Sequence, residues 1–215
     1  MTKKLQGTLY TLLHLANQID LFYKAAIELN VKLKECNPVI SDSDPTMTLD
    51  KVAIPACTNN IFIHAVSFLD EWNKHFTPNN LPTYKDRILK VRRITEPAFK
   101  RIKKWKGLKD GRNIVFAHNF RIKGQDIFTS GEKHNLIFPM YNTEISFLHD
   151  LIWLIGEELL DEFSDIEIDV NRSIQDGINF QSEHIDSHAE VTKIFDEIAA
   201  IKISEFEKQH KHLKK

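Results

Sequence analysis

Apolar residues recur every third or fourth position over much of the chain, as they do along the buried face of an α-helix. This spacing predicts a first amphipathic helix over about residues 5–35 and a second over about 49–76. Pro78 lies in the polar stretch that ends the second helix. Pro55 lies near its start, so the regular part of this helix is expected to begin later.

The next stretch alternates apolar positions with lysine and arginine and predicts two basic helices, at about 84–94 and 96–107. They are divided at Thr95 and Pro97. The hydroxyl of Thr95 can cap the N-terminus of the second helix, and proline fits a first turn because no hydrogen bond is lost there.

Asp110 has the residue type of an N-cap, which predicts that a further helix opens at this position. Residues 121–142 contain glycines and a proline around short apolar pairs and indicate a long loop or a small hairpin. Residues 145–163 form the most apolar predicted helix, which we expect at the centre of the core.

Alternating residues predict a small C-terminal β-hairpin from 166–170 and 177–181, followed by a helix from about 187. The predicted fold is therefore mainly α, an antiparallel helical bundle with a long loop after the helix that begins near Asp110. A chain of 215 residues suits one domain, with its core at roughly 49–163 and the hairpin and last helix at 164–215.

Charge is distributed unevenly, although the net charge is only −1. Residues 85–112 contain twelve lysines and arginines against three acidic residues, whereas 144–207 contain seventeen acidic residues against three basic ones. Either the two regions pack together and neutralise each other, or the basic region binds an anion such as RNA. Both can hold at once.

Composition places the chain among soluble globular proteins, with 42% hydrophobic and 27% charged residues. The only two cysteines, Cys36 and Cys57, are far apart in sequence, which predicts neither a disulfide framework nor a zinc ribbon. No cleavable leader and no apolar run of the length that spans a bilayer is evident, so we expect a cytoplasmic protein without a membrane segment.

A short polar motif stands out where the basic region ends. Arg112, Asn113 and His118 are embedded in the sequence RNIVFAH, whose other residues are apolar and typical of a helix. Histidine suits proton transfer near neutral pH, and the guanidinium fork of arginine suits a phosphate. Six residues turn a helix by about 600°, so Arg112 and His118 point roughly 120° apart and do not share a face.

The motif resembles the mark of the HEPN superfamily, an arginine, a polar residue and, after about four further positions, a histidine on a helix of an α-bundle. Residues 108–121 are similar to HEPN proteins of abortive-infection and toxin–antitoxin systems. The resemblance implies a metal-independent endoribonuclease that needs no cofactor and acts as a homodimer, with the motifs of two chains facing each other. It also implies a possible cognate antitoxin as partner.

On this reading, His118 of both chains supplies the acid and the base, Arg112 holds the phosphate and Asn113 orients the groups. RNA would lie on the basic residues that precede the motif: Lys100, Arg101, Lys103, Lys104, Lys106 and Lys109. The alternatives are a HEPN-like module that binds RNA, nucleotides or proteins without catalysis, or a purely structural role in which Arg112 pairs with acids of the helix 145–163.

Three other histidines have the spacing or setting of functional groups. His184 and His188 are four residues apart, as metal ligands on a helix are, but Ile185 stands where a zinc protease needs glutamate. We therefore expect no metal site there. His149 lies within the most apolar helix, which is typical of a hydrogen-bonded core residue but also allows a place in the site.

Overall fold

The computed structural model describes residues 3–40, 44, 46–111, 121–122, 125–126, 137, 139 and 141–166, together with the helical residues 192, 193, 196, 200 and 203. The chain divides into two compact units, Met1–Asp169 and Val170–Lys215. The protein is mainly α, as predicted. The predicted C-terminal hairpin lies outside the described residues, apart from Ile166.

Two long helices form the N-terminal half of the first unit. Helix α1 spans Lys3–Glu35 and α2 spans Asp50–Lys74, which confirms the predicted helices within two residues at every boundary. The expectation of a delayed start in α2 is wrong, because the helix is regular from Asp50 and keeps Pro55 inside it. Pro55 is the sixth residue of α2, so the helix gives up the hydrogen bond that an amide at this position would make to the carbonyl oxygen of Lys51.

Helices α1 and α2 pack against each other in opposite directions. The rings of Phe22 and His64 stack with centroids 5.6 Å apart, midway along both helices. At the connection, Nδ2 of Asn37 donates to Oδ1 of Asp50 at 2.7 Å, and Asp50 opens α2. Contacts that advance along α1 while receding along α2 define an antiparallel pair.

A short 3-10 helix at Pro82–Tyr84 leads into the basic helices α3, Lys85–Ile94, and α4, Glu96–Ile102. Helix α4 ends about five residues before the predicted boundary. Pro97 occupies the first turn of α4, as expected.

The predicted N-cap at Thr95 is wrong. Its hydroxyl donates to the carbonyl oxygen of Val91 at 2.8 Å and makes no capping bond to α4. Thr95 is buried between the two helices and keeps helical backbone angles, and a hydroxyl in that position bonds back to the preceding turn.

Helix α5 spans Leu108–Gly111, so Asp110 lies inside a helical turn and the prediction that it is an N-cap is wrong. After it, Arg121–Ile122 (β1) and Gln125–Asp126 (β2) pair antiparallel. A long loop or a small hairpin was expected for residues 121–142, and a small hairpin is present at the beginning of this segment.

Helix α6 spans Asn142–Glu162 and corresponds to the predicted central helix. It packs against α1 in the opposite direction: Tyr23 meets Ser146 near the start of α6, and Ala16 meets Gly156 two thirds of the way along. A Cβ at position 156 would lie 3.7 Å from the Cβ of Ala16, an ordinary van der Waals contact, so alanine would also fit where the two helices cross.

The core is built around Trp72, which is 2% exposed and stacks against Phe99 with ring centroids 4.5 Å apart. Trp105 is also buried, but Trp153 is 42% exposed. Leu5, Leu9 and Leu12 of α1 are fully buried as well, so the core extends beyond 49–163.

Helix α2 departs from the expectation that no stretch of the chain could span a membrane. It is long and apolar enough to do so by length and composition alone, a test that core helices of soluble proteins also pass. Its residues Ile61, Ala65 and Phe68 are buried among the other helices of the first unit. Of the apolar stretch as a whole, 33% is buried in this way.

Candidate nucleic-acid interface

The motif residues Arg112, Asn113 and His118 lie outside the described residues. The structure does describe how the chain approaches the motif and returns from it. The backbone N–H of Gly107, just before α5, donates to the carbonyl oxygen of Ile137 at 2.7 Å. A backbone hydrogen bond therefore joins the chain before the motif, at Gly107, to the chain after it, at Ile137.

The six predicted RNA-binding cations differ in their surroundings. Lys103, Lys104, Lys106 and Lys109 are exposed, and no carboxylate of the described residues lies within 4 Å of their ammonium groups. Lys100 is exposed but pairs with Glu96 at 2.9 Å. We call the four lysines without a carboxylate partner in the described part the lysine surface; in the sequence they precede Arg112.

Arg101 is the sixth of these residues and has a packing role. Its guanidinium lies over the ring of Trp105, 4.0 Å from the centroid, and 5.1 Å from the ring centroid of Phe147. A guanidinium over aromatic rings is attracted by their electron-rich faces. Arg101 thus joins α4 to α6 at the same end of the bundle as the lysine surface.

The first part of the basic region neutralises the acidic region, as one of the two interpretations predicted. Arg87 binds Glu162 at 3.1 Å and Asp165 at 2.6 Å, and Lys90 binds Glu162 at 2.5 Å. The hydrogen bond from Lys90, followed by that from Arg87, holds the pKa of Glu162 below its usual range. Among the described residues, ion pairs between the basic and the acidic region are therefore made by α3 alone.

Arg92 and Arg93 lie in the sequence between the ion-paired residues of α3 and the lysine surface. They line a pocket that the sequence did not predict. A cavity of about 360 Å³ between the C-terminal end of α2 and helices α3 and α4 is lined by Asn73, Arg92, Arg93 and Lys103, with Trp72 among its walls. We call it the basic pocket. Its arginines were counted in the basic region, but helix periodicity alone does not tell which cations surround a cavity.

A polar cluster connects α1 to α6 on another side of the bundle. Nε2 of His149 lies 3.1 Å from Oδ1 of Asp20, and its Nδ1 lies 2.8 Å from Oδ1 of Asp150. The ring of Tyr23 stacks on the imidazole with centroids 4.3 Å apart. Of the two expectations for His149, the hydrogen-bonded core residue is the one that these contacts support.

Asp20 is the buried anchor of this cluster. Burial raises the pKa of Asp20, but hydrogen bonds from Lys24 and His149 outweigh that effect, and the pKa lies below its usual value. A carboxyl group with a lowered pKa stabilises the fold above the pKa of the unfolded chain, and this contribution disappears as the pH falls through the lower, folded-state value.

We expect Asp20→Asn to lower the free energy of unfolding by roughly 1–2 kcal/mol at pH 7, because two charge-assisted hydrogen bonds are weakened. The difference from wild type should shrink below about pH 4. Urea unfolding at pH 7 and pH 3 measures both. Asp150→Asn is the matched control and should cost less, since Asp150 is exposed; equal losses in the two variants would contradict the assignment of Asp20 as the anchor.

No group of three or more His, Cys, Asp or Glu side chains within the described part of the chain could hold a metal ion. His184 and His188 lie outside that part. No protein-family model matches the chain, and no curated protein or solved structure is significantly similar to it.

Proposed function

We propose that this protein is a metal-independent endoribonuclease of the toxin or phage-defence type, whose active site combines Arg112, Asn113 and His118 of two chains. The observation that carries the proposal is the lysine surface. Lys103, Lys104, Lys106 and Lys109 are exposed and have no carboxylate partner among the described residues, and they immediately precede the motif. An RNA strand held there would be bound by residues that adjoin Arg112 in sequence.

The reaction needs no metal if three groups act together. A base removes the proton from a ribose 2′-hydroxyl, the resulting oxygen attacks the adjacent phosphorus, and an acid protonates the departing 5′-oxygen. The products are a 2′,3′-cyclic phosphate and a 5′-hydroxyl. Two His118 side chains would serve as base and acid, while Arg112 would stabilise the charge on the phosphorane oxygens.

A composite site requires a second copy of the chain. Helix α6 offers exposed apolar side chains for such a contact: Phe147 is 43% and Leu154 58% exposed, and both line a groove of about 520 Å³ between α4 and α6. Apolar surface of this kind commonly marks a protein–protein contact. A cognate antitoxin that silences the enzyme remains part of the proposal.

Reversing two charges of the lysine surface, with Lys103→Glu and Lys104→Glu together, should weaken RNA binding by about tenfold or more. The dependence of log affinity on log salt concentration should fall by about 2, because two phosphate contacts are lost. Fluorescence anisotropy with a 2′-O-methyl RNA measures binding without cleavage. Lys32→Glu with Lys34→Glu on α1 is the matched control; equal weakening by both pairs would show that only net charge matters.

The cleavage itself is tested by incubating purified protein with total tRNA and mRNA in EDTA, comparing wild type with His118→Ala. Cleavage by wild type alone supports the proposal. Binding without cleavage would instead favour the second candidate function, a non-catalytic RNA-binding module, which the lysine surface supports equally well.

A further inference from the structure

Arg92 is a partly buried cation that forms no ion pair with a carboxylate of the described residues. Its Nη1 donates to the carbonyl oxygens of Trp72 at 3.0 Å and Phe76 at 2.7 Å, at the C-terminal end of α2. No carboxylate of the described residues lies within 4 Å of it, and burial lowers the pKa of its guanidinium. Buried charges are usually paired, since removing an ion from water is costly.

Two further cations line the basic pocket beside Arg92. Arg93 and Lys103 are exposed and, within the described part of the chain, have no carboxylate within 4 Å. Among the described residues of the lining, the one acidic residue is Glu96, which Lys100 already binds at 2.9 Å. The pocket therefore has a surplus of positive charge that an anion would balance.

Size and lining restrict the chemistry of that anion. The cavity of about 360 Å³ is in the range of small-molecule sites and is larger than a phosphate group needs. Leu89, which is 45% exposed, adds an apolar wall, and Asn73 brings a side-chain amide that both donates and accepts hydrogen bonds. Cations beside an apolar wall and an amide suit a phosphate attached to a nucleoside.

We propose that the basic pocket binds the phosphate of a nucleotide unit through Arg92, Arg93 and Lys103, with the nucleoside against Leu89 and Asn73. Arg92 has five N–H groups and uses only those of Nη1 within the described residues, so Nε and Nη2 remain for the phosphate. The nucleotide unit is either a free mononucleotide or the phosphorylated end of an RNA. The proposal does not depend on cleavage by His118.

Isothermal titration of the full chain with AMP, adenosine and inorganic phosphate tests the pocket. AMP should bind, adenosine should bind at least tenfold more weakly, and Arg93→Gln with Lys103→Gln should reduce AMP affinity by about tenfold or more. The control pair Lys32→Gln with Lys34→Gln should leave it unchanged. Arg92→Lys, which keeps the charge but loses the fork, should also weaken AMP; its melting temperature separates this loss from unfolding.

A second titration distinguishes the two sources of the phosphate. Oligonucleotides of 2′-O-methyl RNA with a 5′-phosphate or a 5′-hydroxyl cannot be cleaved by attack of a 2′-oxygen. Stronger binding of the phosphorylated form, lost in the Arg93→Gln/Lys103→Gln variant, identifies an RNA end, and binding of AMP alone identifies a free nucleotide.

Equal affinity for AMP and adenosine, or AMP affinity that is unchanged in the Arg93→Gln/Lys103→Gln variant, would overturn the proposal and leave Arg92 as a cap of α2 only. AMP binding by a wild-type protein that does not cleave RNA would leave the pocket standing and remove only the nuclease.

Discussion

Replacing His118 with alanine is expected to slow RNA cleavage by at least about 100-fold, because general acid–base catalysis contributes roughly 10²–10⁴. Arg112→Lys should lose less, since an ammonium keeps the charge but not the two-point contact with the phosphate. Single-turnover cleavage of a short RNA measures both rates. Wild-type rates in His118→Ala would remove the residue from the mechanism.

These losses must be separated from unfolding. Neither variant deletes a side chain of the described core, so circular dichroism and melting temperature should stay close to wild type. A variant that loses both activity and its melting transition would say nothing about catalysis, and His118→Asn would then replace alanine as a more conservative change.

Trp72→Ala should reduce the free energy of unfolding by about 3–5 kcal/mol, the range for deleting a buried aromatic side chain. The variant loses ring contacts with Phe76, at 4.8 Å between centroids, and with Phe99, and it leaves the guanidinium of Arg92 without its aromatic neighbour. Urea unfolding at neutral pH measures the loss.

Trp153→Ala provides the comparison, because it deletes the same side chain at a position that is 42% exposed. Its stability loss should be clearly smaller than that of Trp72→Ala. Equal losses would mean that the exposed Trp153 of α6 contributes as much to stability as the buried Trp72 of α2, which would contradict the described packing.

Helix positions could be predicted from sequence because apolar spacing and burial follow the same period. Leu5, Leu9 and Leu12 lie on one face of α1 and are all fully buried. Local capping signals were less reliable. Thr95 has the right residue type and position for an N-cap, but its hydroxyl bonds to Val91 because the chain stays helical through the junction.

Contacts between distant residues had no signal in a single sequence. Asp20 and His149 are 129 positions apart, and nothing local to either one indicates the other. The charge asymmetry gave contact between the basic and acidic regions as one of two interpretations, but it did not show that Arg87 and Lys90 would make this contact. That contact depends on which helix faces the end of α6.

The candidate site illustrates the same limit. Residue chemistry and spacing gave Arg112 and His118 as candidates, which stay a prediction, and the position of Lys103 and Lys104 before them was evident from sequence. The basic pocket was not, because it depends on Arg92 reaching the C-terminal carbonyls of α2 from another helix.

The chemical nature of the cleaved ends tests the central claim most directly. Wild-type protein should cut RNA in the presence of EDTA and leave a 2′,3′-cyclic or 3′-phosphate on one fragment and a 5′-hydroxyl on the other, as mass spectrometry of the fragments can determine. His118→Ala should yield no such fragments. Cleavage that stops in EDTA, or fragments with a 5′-phosphate, would contradict attack by the 2′-hydroxyl with Arg112 and His118 as the active groups.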